Sequence, residues 1–184
     1  QPFIVKDSQP RAEIVVSAKP ARMTRLAVGD LQTYVQKMTG ALLPVVGEPT
    51  PDMPIKIYVG KSAHTDALEL STDGLAHGAY RMVSGENWLA LLGADKDFVP
   101  VEPWAHSRAD MPRARKDWDA LTGDTFENPY LRIYTQYNAD LDVWKYDDGG
   151  TMNAVSAFLR GLGVRWYFPG ELGTIVPQKS SLRI

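Results

Sequence analysis

Apolar positions along the chain follow two periods. From Ala21 to Met38 they recur at Ala27, Leu31, Tyr34, Val35 and Met38, a single stripe at helical spacing. Pro20 stands where a first-turn proline is tolerated, and Gly40 follows as a C-terminal stop. A second stripe, Met152, Val155, Leu159 and Leu162, runs to a stop at Gly163. Around these helices lie short β-branched or alternating runs that predict strands: Phe3-Ile4-Val5, Ala12–Val16, Leu43–Val46 and Ile55–Val59. Pro44 places its strand at an edge, because proline cannot donate to a ladder. Ser62 is positioned to cap a short helix through Leu70. Ala79–Val83 and Trp88–Leu92, separated by Ser84-Gly85-Glu86-Asn87, predict a hairpin. Val164–Phe168, the turn Pro169-Gly170, Ile175-Val176 and Leu182–Ile184 finish the chain. Trp88, Trp166 and Tyr167 fall in strands and are assigned to the core. Arg165 reads either as a buried, paired cation or as a domain-interface anchor.

Periodicity disappears between residues 94 and 148. That stretch holds Pro100, Pro103, Pro112 and Pro129, many charges and no long apolar stripe. It is expected to be a long loop insertion with at most short helical turns. The remaining elements predict an α/β fold: one mixed sheet with two main helices packed on one face. A Rossmann fold is disfavoured, since it needs a glycine fingerprint after its first strand and residues 16–22 contain no glycine.

Composition narrows the partners. The formal net charge is −2, from Lys+Arg 20 and Asp+Glu 22, which argues against nucleic acid. No apolar run approaches the roughly 18–20 residues that span a bilayer. Cysteine is absent, which removes disulfides, thiol nucleophiles and cysteine-type zinc sites. The start at Gln1-Pro2 and the stop inside the alternating Ser181–Ile184 read as an excised piece of a longer exported protein. On that reading a signal peptide has been removed and the location is extracytoplasmic, periplasmic or secreted.

Motifs for catalysis are sparse. His64, His77 and His106 lack helical zinc-ligand spacing, so neither a metal nor any other cofactor is expected. No Gly-x-Ser-x-Gly elbow is present. Asp147-Asp148 and Asp140/Asp142 are the carboxylate pairs that a glycosidase-type reaction would need by type. Asp148, just ahead of the second helix, is expected instead to cap it. Gly149-Gly150-Thr151 at that helix start can cradle an anion, but a tight turn and a close helix–sheet approach is the favoured role. The insertion carries half of the chain's Phe, Trp and Tyr residues. Aromatic rings stack on the apolar faces of sugars, which makes Trp104, Trp118, Tyr137 and Trp144 candidates for carbohydrate binding or interdomain contact. The structural alternative is that these rings cover the sheet or pack against another domain.

Three segments together resemble a known family: Leu31–Val45, Ile55–Gly60, and Gly150–Arg160 running on through Gly163-Val164-Arg165-Trp166-Tyr167-Phe168-Pro169-Gly170-Glu171. They are similar to the accessory N-terminal α/β domain that precedes the catalytic barrel in α-glucuronidases and β-N-acetylhexosaminidases, and most similar to large bacterial glycoside-hydrolase-like proteins. The resemblance covers roughly residues 12–93 and 149–177, with 94–148 as an insertion. It implies a two-layer α+β sandwich of zincin-like topology without the metal site and without catalytic residues. The expected function is a non-catalytic accessory domain whose partner is a C-terminal catalytic-type barrel of the same parent chain, with a contribution to carbohydrate binding. The alternatives are an independent carbohydrate-binding module and a self-contained hydrolase.

Overall fold

A computed structural model of the chain describes residues 2–102, 105–125 and 136–184. The elements, in chain order, begin with β1 (Phe3–Lys6), β2 (Gln9–Pro10), β3 (Ala12–Val15), α1 (Arg22–Thr39), β4 (Val45–Val46), β5 (Ile55–Val59) and α2 (Ala63–Ala67). They continue with β6 (Tyr80–Ser84), β7 (Trp88–Gly93), α3 (Met111–Thr122), β8 (Tyr137–Asn138) and β9 (Val143–Trp144). The last are α4 (Gly150–Leu162), β10 (Arg165–Trp166), β11 (Thr174–Ile175) and β12 (Leu182–Arg183). The chain forms two compact units, one of Gln1–Asp95 with Gly149–Ile184 and one of Lys96–Asp148.

The first unit is built on a five-stranded mixed sheet in the order β4-β3-β5-β7-β6. β3, β4, β5 and β7 run parallel, and β6 returns antiparallel along β7. Register aligns Ile14 with Ile57 and Ile57 with Leu89, so these side chains share one face. That face forms a single core with Ala27, Leu31 and Val35 of α1 and Ala154, Val155 and Leu159 of α4. Both long helices therefore cover the same side of the sheet, the mixed two-layer arrangement that the helical stripes predict. Each ends where a glycine takes up left-handed backbone, Gly40 at φ 77° and Gly163 at φ 109°. Ser62 caps α2 through a reciprocal pair of bonds with Thr65, and the predicted β6–β7 hairpin is present.

The opposite face of the sheet carries a buried charge. Glu13 is 1% exposed and accepts hydrogen bonds from the Thr50 amide at 2.6 Å, the Thr50 hydroxyl at 2.7 Å and Lys56 Nζ at 2.7 Å. Burial alone would raise this carboxyl. The bonds from Lys56 and Thr50 outweigh it and hold the group below the ordinary glutamate value. Lys56 also donates to the carbonyls of Thr50 and Met53, so one ion pair fastens the proline-rich turn before β5. At the chain ends, β12 pairs with β1 and β1 with β2 in a small antiparallel sheet. Ile4, Val5 and Leu182 thereby join the main core.

The second unit corrects the expectation of a mostly irregular insertion. It contains the 12-residue helix α3, with Pro112 in its first turn and a left-handed Gly123 at its end. The buried residues of α3 are Ala114 and Trp118, four apart. This stripe is too short to show a period against its charged surroundings, where Arg113 pairs with both Asp110 and Asp117. Phe98, Trp118 and Trp144 lie within 5.4–6.3 Å of one another, centroid to centroid. Tyr146 packs at a tilt against Phe98, and Tyr137 against Trp144. Asp147 ties this cluster together by accepting the amides of Phe98 and Trp144, both at 2.7 Å.

Candidate functional site

A concave surface in the first unit lies between the last turns of α1 and the segment from β10 to β11. It is a cleft of about 750 Å³, with Tyr34 and Lys37 on one side and Trp166, Tyr167, Phe168 and Glu171 on the other. Its geometry follows from how the chain leaves α4. Val164 is buried, but the strand after it does not enter the five-stranded sheet. It pairs only with β11, through Arg165–Ile175 and Trp166–Thr174. Pro169-Gly170 then reverses the chain, with Gly170 at φ 93°. Tyr167 N–H donates to Gly173 O at 2.8 Å and closes the loop. A Cβ on Gly173 would lie 2.0 Å from Phe168 O, so only glycine permits this tight return.

A two-stranded ribbon has no second layer to bury its side chains. Tyr167 is 71% exposed, Phe168 57%, Ile175 53% and Leu172 95%. Assigning Trp166 and Tyr167 to the core is therefore corrected: both lie on the surface. Trp88 is half-buried. A readable signal was present, because three consecutive rings cannot all face one side of a strand whose side chains alternate.

Trp166 is nevertheless held in place. Its indole N–H donates to the Tyr34 hydroxyl at 2.7 Å, and the two rings meet edge to face, 5.2 Å apart at 89°. The Lys37 ammonium lies 5.7 Å from the Tyr34 ring centroid. The flanking chain is anchored to helix ends. Gln178 donates to Lys37 O, and Lys179 Nζ to Leu162 O at 2.7 Å. Arg165 is exposed and donates to Arg160 O and Val164 O, both at 2.7 Å. It thus satisfies carbonyls at the C-terminus of α4, where a cation is favoured, and is not a buried, paired cation. Among the described residues lining the cleft, Glu171 is the only acidic one. The arrangement offers flat apolar rings framed by one cation and one carboxylate, a surface suited to binding.

The remaining candidates belong to the second unit. Trp118 is fully buried, so it presents no ring face to a ligand. Tyr137 and Trp144 are half-buried and pack on each other. Trp104 lies outside the described residues. The carboxylates proposed as pairs act as local acceptors: Asp147 serves two amides, and Asp142 accepts the Tyr137 hydroxyl at 2.9 Å.

The start of α4 also differs from expectation. Asp148 is exposed and does not cap the helix; Gly149 takes the cap position with no side-chain bond. The Thr151 amide instead donates to Asp95 Oδ1 at 2.9 Å, and the Thr24 hydroxyl to Asp95 Oδ2 at 2.8 Å. A carboxylate two residues beyond β7 thus fills the place an external anion would take. Gly150 does permit the close approach expected of this segment: a Cβ there would lie 2.5 Å from Ala79 O.

Among the described residues, no three His, Asp or Glu side chains converge as metal ligands, and no helix is long and apolar enough to cross a membrane. His64 sits against Glu48 at 3.2 Å, and His106 against Glu102 at 3.7 Å. No protein-family model and no curated protein matches this chain.

Proposed function

We propose that this chain is a non-catalytic accessory domain of an exported glycoside-hydrolase-like protein, working alongside a catalytic barrel of the same parent. On this reading its two layers follow the zincin-like topology of the resembling domains. The observation that carries the proposal is the placement of Trp166, Tyr167 and Phe168. The third of the resembling segments turns its Trp166-Tyr167-Phe168 run outward, with the Trp166 indole tied to the Tyr34 hydroxyl. Contiguous exposed apolar surface on a soluble domain marks an interaction site. Among the described residues the cleft beside it is lined by a single carboxylate, Glu171, whereas glycoside hydrolysis by the common mechanisms uses two. Both features favour binding over turnover.

The test compares hydrolysis of aryl glycosides by this chain alone and by a longer protein that joins it to its barrel. The expected result is no turnover by the chain alone, and loss of activity or of barrel stability when the domain is deleted. Steady turnover by the chain alone, abolished by a substitution within it, overturns the proposal. The aromatic lining of the cleft specifically favours a second reading, in which the same fold acts as an independent carbohydrate-binding module.

A further inference from the structure

We infer that the cleft between α1 and the β10–β11 ribbon is a carbohydrate subsite, taking the apolar face of a pyranose ring in a β-1,4-linked oligosaccharide. The inference rests on reading this cleft as the functional surface of the domain. It moves the sugar-binding role from the insertion's rings to Trp166, Tyr167 and Phe168.

Three features together select a sugar over another polypeptide. First, the platform is preorganised: Trp166 is fixed by its bond to Tyr34 and by the perpendicular ring contact. A ligand then meets a ring that loses little further freedom, which is how aromatic anchors contribute affinity. Secondly, the flat rings sit beside groups of opposite charge without an ion-pair partner among the described residues, the Lys37 ammonium and the Glu171 carboxylate. A buried protein–protein contact would have to desolvate both. Sugar hydroxyls instead donate to Glu171 and accept from Lys37 while the rim stays wet. Thirdly, the cleft of about 750 Å³ is within the range of small-molecule sites, larger than a single aromatic side chain needs.

The test titrates the 184-residue chain with cellohexaose, xylohexaose and chitohexaose, following tryptophan fluorescence and calorimetric heat. At least one probe should saturate at up to millimolar concentration. Trp166→Ala should weaken that binding by about tenfold or more, as for a central aromatic anchor. Tyr167→Ala keeps the measurement interpretable should Trp166→Ala fold poorly, because Tyr167 is 71% exposed; it should weaken binding with an unchanged melting temperature. Tyr137→Ala, in the second unit, should leave binding unaltered.

Absence of saturation by all three probes overturns the inference, as does binding that survives both cleft substitutions. Self-association abolished by Tyr167→Ala, without any sugar response, would show instead that a second copy of the chain occupies the face. These failures leave the accessory-domain reading intact, because that reading is decided by hydrolysis and by deletion in the longer protein.

Discussion

The contact between Gly93 and Gly150 offers a sharp test of how α4 is seated. Gly93 ends β7 and Gly150 begins α4. A Cβ added to Gly93 would lie 2.0 Å from Gly150 C, 2.2 Å from Thr151 N and 2.3 Å from Gly150 Cα. All three are backbone atoms, so no side-chain rotation can relieve the clash. Ordinary carbon contacts need about 3.5 Å, so Gly93→Ala requires the helix start to retreat by roughly 1.5 Å. That retreat stretches the bond from Gly93 N–H to Thr151 Oγ1, now 3.0 Å, and the already long bond from Gly150 N–H to Ala94 O at 3.4 Å. Overpacking costs about 1–3 kcal/mol and each lost bond about 1 kcal/mol, giving a loss of ~3–5 kcal/mol in total. With a urea dependence near 2 kcal/mol/M, the midpoint should fall by roughly 1.5–2.5 M. The matched control is Gly29→Ala, in the exposed middle of α1 with nothing within 4 Å of the new methyl. It should stabilise by about 0.5–1 kcal/mol. A Gly93→Ala stability within about 1 kcal/mol of wild type would refute the contact, and equal damage from both substitutions would refute its specificity.

Further outcomes follow from burial and bonding. Leu159 is 1% exposed in the core shared by α4 and the sheet, so Leu159→Ala should cost ~2–5 kcal/mol by chemical denaturation. Asp95→Ala removes the acceptor for Thr151 N–H and Thr24 Oγ1 and should cost about 1–3 kcal/mol; Asp148→Ala, at an exposed position, should change the same midpoint by less than about 0.5 kcal/mol. The folded Glu13 carboxyl lies below its ordinary value of 4.5, so the folded state binds its proton less readily than the unfolded chain does. Its contribution is then present above that ordinary value and lost as pH falls through the folded one. The stability gap between wild type and Glu13→Gln, measured at a series of pH values, should shrink on acidification; a gap that widens would reverse the sign.

Much of the fold was legible because its signals are local. The stripe from Ala27 to Met38 and the stop at Gly40 define α1 without reference to anything distant. The same holds for Leu159 before Gly163, and for the alternation that makes Ile55–Val59 a strand. The sites were less legible. Asp148 stands next to the helix start in sequence, whereas the carboxylate that binds the Thr151 amide belongs to Asp95, 56 positions away. Trp118 and Trp166 look alike as isolated tryptophans in a sequence, yet one is fully buried and the other more than a third exposed.

The sequence by itself determined the two long helices and the glycines that end them, the strands of the five-stranded sheet, and that residues from the middle nineties to Asp148 stand apart, but not the helix α3 within that stretch. Those properties depend on side-chain spacing and backbone freedom within a few residues. Only the tertiary structure decided which rings meet water. Val164–Phe168 reads as a strand with Trp166 and Tyr167 in the core, but the partner of β10 is the short β11 and not the five-stranded sheet. Burial depends on what lies across from a side chain. For Tyr167 and Phe168 that was set by strand pairing, a long-range choice that no local pattern encodes.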